Sequence, residues 1–235
     1  MSDISHESQQ LDVGSFRSGR ANTVRLTEIF YSLQGEGRFT GLPTVFVRLT
    51  GCPLRCVYCD TDYAFHGGTS FALPEVIDQV KSYGAQHVCV TGGEPLAQKD
   101  ACLALSKALC DEGLSVSIET SGAMDISALD PRISVVMDLK TPDSAECDKN
   151  DYNNLGFIKA KDQLKFVIMS RADYEWARSQ LIQRNLSASG AELLFSPSFE
   201  QVKPTDLAQW ILDDKLPVRM QLQMHKHIWG EETGR

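Results

Sequence analysis

The sequence predicts an α/β fold in which mostly parallel strands form an incomplete (βα) barrel. Short apolar runs alternate with amphipathic, helix-like stretches from about residue 23 to about residue 223. This alternation favours a parallel sheet whose strands are joined by right-handed helical crossovers. The repeating units fall short of the eight clean units of a closed barrel, so we expect the sheet to stay open.

The strands are predicted from runs of β-branched and aromatic residues that stop at glycine or at polar turns. The first run leads into a glycine-rich turn, and the second leads into a cysteine-rich loop. Loops at the carboxyl ends of parallel strands carry the functional residues of α/β barrels. The predicted strands are 24–30, 44–49, 87–91, 115–119, 134–139, 164–168, 192–195 and 218–223.

The helices are predicted from apolar residues three and four positions apart and from their start and stop signals. Pro74 lies in the first turn of one helix, which ends before Gly84, and Gly113 follows a second helix over 100–112. Ser170 is the expected N-cap of a third helix, in a capping-box pattern. Thr205 is the expected N-cap of a fourth.

The composition indicates a single core domain and restricts its partners. The chain has 235 residues, of which 42% are hydrophobic, and we assign one domain to 23–235. Residues 1–22 are polar and lack apolar periodicity, so they are predicted to form a mobile N-terminal arm. The net charge of −8 gives no general attraction to nucleic acid or to an anionic membrane, so direct binding to either is not expected.

The cysteines and the lack of targeting segments indicate a reducing compartment, and we expect the protein in the cytoplasm. Residues 1–22 lack the apolar run of a signal peptide, and no stretch approaches the length of a membrane-spanning helix. Seven cysteines are present, an odd number. Cys89, Cys102 and Cys110 fall in apolar patterns and are expected in the core. Cys147 lies in the polar stretch 143–154, which we expect to be an exposed loop.

The most informative stretch is the loop 51–62, in which three cysteines are separated by three and then by two residues. Cys52, Cys56 and Cys59 cannot all pair within so short a loop, because one thiol would remain. Three converging thiolates suit a metal. Zinc would require a fourth ligand, and His66 is the nearest candidate. A four-iron cluster on three cysteines would instead leave one iron open for the amino and carboxylate groups of S-adenosylmethionine.

The cysteine spacing, with the aromatic Tyr58 before the last cysteine, resembles the radical S-adenosylmethionine superfamily. The stretches 30–37 (FYSLQGEG), 46–49 (FVRL) and 60–61 (DT) narrow the resemblance to the 7-carboxy-7-deazaguanine synthase family. Enzymes of that family rearrange a carboxylated tetrahydropterin into a deazapurine on the route to modified tRNA bases. The cysteine loop together with Gln-Gly-Glu-Gly at 34–37 is specific, whereas neither motif alone would identify the family.

The resemblance implies a barrel of the radical S-adenosylmethionine type with three cofactors: a 4Fe–4S cluster, S-adenosylmethionine and Mg²⁺. Cys52, Cys56 and Cys59 would be the cluster ligands, and Thr61 would be the protein ligand of Mg²⁺. The residues that the resemblance implies for cofactor binding are Tyr58, Cys59, Asp60, Gly93, Glu94, Asp138, Leu139, Lys140, Ser196, Pro197 and Ser198.

The substrate combines a carboxylate, which suits a cation, with a guanidine-like pterin edge, which suits hydrogen-bond acceptors. Arg48 precedes the cysteine loop and is the expected partner of the carboxylate; the alternative for it is a structural salt bridge. Glu36 and Glu119 lie near strand ends and could accept from the pterin amine or pair with a lysine or arginine. The residues implied for substrate binding are Leu33, Gln34, Gly35, Arg48, Thr91, Glu119 and His225.

Three functional hypotheses follow. The first is a lyase that converts 6-carboxy-5,6,7,8-tetrahydropterin to 7-carboxy-7-deazaguanine and ammonia, with an electron donor such as flavodoxin and a homodimeric assembly. The second is a small radical S-adenosylmethionine enzyme that generates a glycyl radical on a partner protein, because such enzymes share the cysteine spacing. The third is a non-enzymatic iron–sulfur or zinc protein. The segment 34–37 favours the first.

Overall fold

The computed structural model describes residues 22–230 and 232–234, so residues 1–21 of the predicted arm lie outside the described part of the chain. Within these ranges one mixed sheet organises the fold. Its nine strands are β1 (Thr23–Leu33), β2 (Pro43–Leu49), β3 (Thr69–Ala72), β4 (His87–Gly92), β5 (Ser115–Thr120), β6 (Ser134–Asp138), β7 (Gln163–Ile168), β8 (Glu192–Pro197) and β9 (Arg219–Met220).

The strand order in the sheet is β3-β1-β2-β4-β5-β6-β7-β8-β9. From β2 to β9 all neighbouring strands are parallel. By contrast, β1 runs antiparallel to both of its neighbours, β2 and β3. The sheet does not close, since β3 and β9 lie at its two ends. The predicted fold class, an incomplete barrel with mostly parallel strands, is confirmed.

Helices cover the sheet because the apolar stripe of each one needs a surface against which to be buried. The α-helices of the described ranges are α1 (Leu73–Ser82), α2 (Lys99–Asp111), α3 (Arg171–Gln183), α4 (Pro204–Asp214) and α5 (Met224–Trp229). Val76 and Val80 of α1 and Leu105 and Leu109 of α2 are fully buried in one continuous core. None of these helices has the length and apolar character of a membrane span.

The cap predicted at the start of α3 is confirmed, and the cap predicted for α4 is wrong. Ser170 Oγ accepts a hydrogen bond from the backbone N–H of Asp173 at 3.2 Å. Helix α4, however, begins at Pro204 with Lys203 as its N-cap, so Thr205 lies inside the helix. Proline suits the first helical position because the N–H that it lacks would have no partner there.

Two further expectations differ from the structure. The predicted strand 218–223 shrinks to Arg219–Met220, after which the chain turns into the unpredicted helix α5. The stretch 143–154 is built from short 3₁₀ helices rather than an open loop. The side-chain amides of Asn150 and Asn154 donate to the carbonyls of Lys140 and Met124, which ties the stretch to neighbouring loops, and Cys147 is half-buried instead of exposed. Cys89, Cys102 and Cys110 are buried as predicted.

Candidate active site

A cavity of about 440 Å³ opens at the carboxyl ends of the parallel strands, bordered by the loops that follow β1, β2, β4, β5 and β6. Loops at this end of a parallel sheet can bring together residues that are distant in sequence. The predicted site residues that line the cavity are Leu33, Gln34, Gly35, Arg48, Cys52, Cys56, Tyr58, Cys59, Asp60, Thr61, Thr91, Gly93, Glu119, Asp138, Lys140, Ser198 and His225.

The three cysteines of the loop 51–62 are half-buried in one wall of this cavity. The backbone N–H of Cys59 donates to the carbonyl of Cys56 at 3.1 Å, and that of Val57 donates to the carbonyl of Ser144 at 3.1 Å. Burial raises the pKa of the Cys56 thiol to about 11, and it also raises the pKa of Cys52. These thiols therefore need a cation to become thiolates at neutral pH.

The arrangement of the thiols fits an iron–sulfur cluster. In the ranges described, no three His, Cys, Asp or Glu side chains are grouped around a position for a single metal ion. A 4Fe–4S cluster binds each thiolate through a different iron. Its three cysteine ligands therefore lie further apart than ligands that share a single metal ion. A coordinating thiol is deprotonated by the bound metal, which overcomes the effect of burial on the thiol pKa.

The turn after β4 packs directly on the base of the cysteine loop. A Cβ atom on Gly93 would lie 2.6 Å from the carbonyl oxygen of Gly51 and 2.8 Å from the Cβ of Cys52. Only glycine permits this approach. The backbone N–H of Glu94 completes the contact by donating to the carbonyl of Gly51 at 2.8 Å. The position of the first cysteine is thus set by the strand next to it.

A polar wall lies beside the cysteines. Lys140 Nζ donates to Asp138 Oδ2 at 2.7 Å and lies 5.3 Å from the centre of the Tyr58 ring. Burial raises the pKa of Tyr58 to about 12, although Lys140 acts in the opposite direction. The Tyr58 hydroxyl and Asp138 Oδ1 have no hydrogen-bond partner among the described residues, although Lys165 Nζ is 3.4 Å from that oxygen. Buried polar atoms of this kind suit a ligand that completes their hydrogen bonds.

Four of the residues predicted for cofactor binding do not line the main cavity: Glu94, Leu139, Ser196 and Pro197. Glu94 is fully buried, and its carboxylate accepts hydrogen bonds of 2.6–3.0 Å from Leu96, Thr120 and Ser121. Leu139 and Ser196 are buried, and Pro197 borders a second cavity of about 170 Å³. These four side chains support the cavity from behind, so any contact with a bound cofactor would have to use their backbone.

Arg48 is already paired within the cavity wall. Its Nε donates to Glu28 Oε1 at 2.7 Å, and its side chain is 12% exposed. Burial lowers the pKa of Arg48, but Tyr63 and Glu28 outweigh this effect and raise it. The terminal guanidinium nitrogens donate to no group in the described part of the chain, so the structural salt bridge leaves them able to bind an anion.

Gln34 and Glu119 meet across the cavity wall. Gln34 Nε2 donates to Glu119 Oε1 at 3.2 Å. Burial raises the pKa of Glu119, and nearby Glu36 and Asp138 add to this effect against the opposing charges of Lys165 and Arg48. A glutamine amide both donates and accepts hydrogen bonds, and a carboxylate oxygen accepts them. The pair therefore offers both kinds of hydrogen-bonding group to a heterocycle.

Helix α5 adds residues near the C-terminus. His225 packs so closely on Gly35 that a Cβ atom at that position would overlap its ring. Burial lowers the pKa of His225, which favours the neutral imidazole. Lys226 Nζ lies 3.5 Å from Asp60 Oδ2, beside Thr61. The hydroxyl of Thr61 lies 3.8 Å from the Cys59 sulfur and does not cap the short helix that follows it.

Sequence reasoning missed several residues of this cavity, above all Lys165. Its Nζ lies 2.5 Å from Glu36 Oε2, and both side chains are 10% exposed. A signal was present: Lys165 interrupts the otherwise apolar run 164–168, and a charged residue in a central parallel strand requires a partner. The other cavity residues that were not predicted include Phe30, Phe46, Ser121, Phe199, Gln223 and Lys226.

Comparison with known proteins identifies the family. The model of the radical SAM superfamily matches residues 46–158. The 7-carboxy-7-deazaguanine synthase of Chlorobaculum tepidum is 41% identical, over 89% of this chain and 96% of that protein. The synthase of Koribacter versatilis is 39% identical, over 89% of this chain and 99% of that protein.

A solved structure supports the fold independently. The crystal structure of QueE from Escherichia coli superposes with a TM-score of 0.69, covering 86% of this chain and 95% of that one. At 24% identity this likeness concerns the architecture alone. Together with the full-length relatives, it confirms the resemblance inferred from the cysteine loop and the segment 34–37. The chain therefore belongs to the 7-carboxy-7-deazaguanine synthase family of the radical S-adenosylmethionine superfamily.

Proposed function

We propose that this chain is a single-domain radical S-adenosylmethionine lyase that converts 6-carboxy-5,6,7,8-tetrahydropterin to 7-carboxy-7-deazaguanine and ammonia, on the queuosine route of tRNA modification. One observation carries the proposal. A single cavity holds three cysteines on one wall. Arg48 and the Gln34–Glu119 pair form a second group among its lining residues. The first group suits the cofactors, and the second suits a carboxylated heterocycle.

The cofactor side is assigned from its chemistry. Cys52, Cys56 and Cys59 would hold the 4Fe–4S cluster. Tyr58, Asp60, Gly93, Asp138, Lys140 and Ser198 would contact S-adenosylmethionine, with Glu94, Leu139, Ser196 and Pro197 behind them. When bound, the reduced cluster and S-adenosylmethionine supply the one-electron chemistry that removes a hydrogen atom from the substrate. The chain's own task is to hold the substrate in one orientation and to exclude other hydrogen donors.

The substrate side has groups for both ends of the pterin. The terminal nitrogens of Arg48 suit the carboxylate, because a guanidinium fork matches its two oxygens. Glu119 and Gln34 suit the amide and amine edge of the ring, since together they can donate and accept. The remaining contacts in this proposal are Leu33, Gly35, Thr91 and His225.

Mg²⁺ is assigned to Thr61. The Thr61 hydroxyl is not used in helix capping, and Asp60 is an adjacent carboxylate. Mg²⁺ prefers oxygen ligands and retains several waters, so one protein ligand with substrate oxygens is a reasonable set. A cation at this position would neutralise the substrate carboxylate and help to fix which C–H bond faces the cofactor.

The remaining parts of the proposal concern partners. An electron donor such as flavodoxin would reduce the cluster, and the enzyme would act as a homodimer in the cytoplasm. The glycyl-radical alternative is not favoured, because the relatives that match over nearly their full length are synthases of a small molecule.

The deciding experiment is an anaerobic assay of the reconstituted protein with the carboxypterin, S-adenosylmethionine, Mg²⁺ and a chemical reductant. We expect mass spectrometry to detect 7-carboxy-7-deazaguanine and ammonia with no partner protein present. The Cys56→Ala variant is the control and should lack both the cluster absorbance and the product. Full cluster loading of the wild-type protein without any product would contradict the proposed function.

A further inference from the structure

Four side chains join the two halves of the open sheet across the cavity, and we name this group the Glu36 clasp: Glu36, Lys165, Gln221 and Gln223. Lys165 Nζ lies 2.5 Å from Glu36 Oε2. Gln223 Nε2 donates to Glu36 Oε1 at 2.9 Å, and Gln221 Nε2 donates to Oε2 at 3.4 Å. The carboxylate of Glu36 is therefore the common acceptor for all three of its partners.

The clasp spans the sheet because its members come from opposite ends of it. Glu36 lies in the β1–β2 loop, Lys165 lies on β7, and the two glutamines follow β9. Four strands separate β1 from β7 in the strand order. The loop is also tied by its backbone, since the N–H of Gly37 donates to Gln221 Oε1 at 2.5 Å and that of Arg38 donates to Gln163 Oε1 at 2.8 Å.

The clasp holds two of the residues assigned to the substrate. Gln34 Oε1 accepts a hydrogen bond from the N–H of Glu36 at 3.3 Å, while its amide donates to Glu119. The carbonyl of Gly35 accepts from the N–H of Met224 at 3.0 Å, which places His225 against Gly35. A movement of Glu36 would therefore shift both Gln34 and the start of α5.

Lys165 is not available as a direct partner for an anionic substrate. Its ammonium group lies 2.5 Å from Glu36 and 3.4 Å from Asp138, so two carboxylates already neutralise it. Burial lowers the pKa of Lys165, but Asp138, Glu36 and Glu119 outweigh this and raise it well above its ordinary value. Arg48, by contrast, is paired with Glu28 through Nε alone, and its terminal nitrogens have no hydrogen-bond acceptor among the described residues. Lys165 is thus suited to holding other residues in place.

We propose that Lys165 and Glu36 are positioning residues for the pterin: through the Glu36 clasp they hold Gln34 and His225 in the orientation that binds the heterocycle. This proposal rests on the proposed function. It assigns no chemical step to either residue, and it predicts that binding of S-adenosylmethionine does not depend on Glu36, whose carboxylate is bonded to Lys165, Gln221 and Gln223 and not to a residue assigned to that cofactor.

The test compares the holoenzyme variants Lys165→Met, Glu36→Gln and the double variant with a matched surface pair, Lys81→Met with Glu112→Gln. The surface pair is also 2.5 Å apart but exposed. We expect each single clasp variant to raise KM for the carboxypterin about tenfold or more, since removing one partner deprives the other buried charge of its nearest counter-charge. KM for S-adenosylmethionine should change by less than about twofold in Glu36→Gln, whereas Lys165→Met also removes a partner of Asp138 and is judged on the pterin KM. The double variant should raise the pterin KM no more than the single variants do.

Two milder variants keep the test decisive if a charge-removing variant fails to fold. Lys165→Arg keeps the cation and should restore most of the pterin affinity that Lys165→Met loses. Gln223→Ala removes one neutral donor and should raise KM for the pterin about threefold, which is the effect of one ordinary hydrogen bond. Hydrogen exchange supplies a readout that needs no turnover: the amides of 221–225 should exchange faster in the clasp variants than in the wild type.

Three outcomes would overturn the inference. The first is a pterin KM within about twofold of wild type in variants that fold and load the cluster, because a positioning role requires a larger effect. The second is an equal loss of S-adenosylmethionine and pterin affinity in Glu36→Gln. The third is unchanged exchange at 221–225. A wild-type enzyme that does not turn over the carboxypterin would instead contradict the proposed function, while the exchange data would still report on the clasp.

Discussion

At Arg48 a structural ion pair and the proposed substrate contact, which a sequence treats as alternatives, do not exclude each other. The Nε of Arg48 is engaged by Glu28 at 2.7 Å, and the residue lines the cavity. The ion pair holds the long side chain in one rotamer, so the guanidinium reaches the cavity without losing further side-chain entropy on binding. The pairing with Glu28 thus prepares Arg48 for a second anion.

Arg48→Lys should separate substrate use from cofactor cleavage. Lysine keeps the charge but loses the planar fork, so we expect product formation to fall about 10- to 100-fold, as the loss of a charged hydrogen bond implies. Release of 5′-deoxyadenosine, measured by liquid chromatography, should continue. The control is Arg132→Lys, which changes an arginine that forms a surface ion pair with Asp130, and it should behave as wild type. Equal loss of both products in Arg48→Lys would argue against a substrate contact.

Thr61 gives a prediction about metal dependence. We expect Thr61→Ala, or removal of Mg²⁺ by a chelator, to lower turnover about tenfold or more while the cluster spectrum and S-adenosylmethionine binding persist, because the proposed cation would act on the substrate. Thr61→Ser keeps the oxygen and should retain more activity than Thr61→Ala. Steady-state rates at several Mg²⁺ concentrations provide the measurement. Turnover that is indifferent to chelation would remove Mg²⁺ from the proposal.

Glu94 shows how two strand ends are joined behind the cavity. It follows β4, and its carboxylate accepts hydrogen bonds from Thr120 and Ser121 at the end of β5 and from the N–H of Leu96. We expect Glu94→Ala to lower the free energy of unfolding by about 3 kcal/mol, because several buried donors lose a charged acceptor. Urea unfolding provides the measurement. Glu112→Gln, in an exposed ion pair, should cost less than about 1 kcal/mol.

The strands were predictable where burial makes them apolar, and the misses have physical causes. Strands β4 and β7 are almost entirely buried, so they appear in the sequence as largely apolar runs, which Lys165 interrupts in β7. The edge strand β3 is Thr-Ser-Phe-Ala and forms through pairing with β1, which leaves no apolar pattern to detect. Helix α5 has only six residues and depends on tertiary contacts such as that with Gly35.

The candidate site was predictable where its residues lie in motifs and not where they lie apart. The cysteine loop and the segment 34–37 are local motifs, and most of their members line the same cavity. Lys165 and Glu36 are 129 residues apart, and no single sequence indicates that they pair. Glu94 was correctly predicted to lie in the turn after β4. The direction of its side chain, however, depends on Thr120 of β5, which is 26 residues further along the chain.

The Glu36 clasp should also appear in the acid stability of the whole molecule. Burial raises the pKa of Glu36, but Lys165, His225 and Gln223 outweigh this and lower it from 4.5 to about 2. A depressed native pKa contributes stability that is complete above pH 4.5 and is lost as the pH falls towards 2. We therefore expect the unfolding free energy of wild type to fall more steeply over this interval than that of Glu36→Gln. Urea titrations at several pH values would measure both, and parallel slopes would contradict the expectation.

The base of the cysteine loop is fastened by the polypeptide itself. Gly93 and Glu94 pack on Gly51, the N–H of Gly51 donates to the carbonyl of Ala64 at 2.8 Å, and Leu54 is buried. In small zinc domains, by contrast, metal binding supplies the free energy of folding itself. Here the scaffold can fold before any iron arrives, so cluster insertion becomes a late step of maturation on a finished apoprotein. A variant with serine at Cys52, Cys56 and Cys59 should therefore unfold cooperatively, within about 5 °C of the metal-free wild type, when melting is followed by circular dichroism.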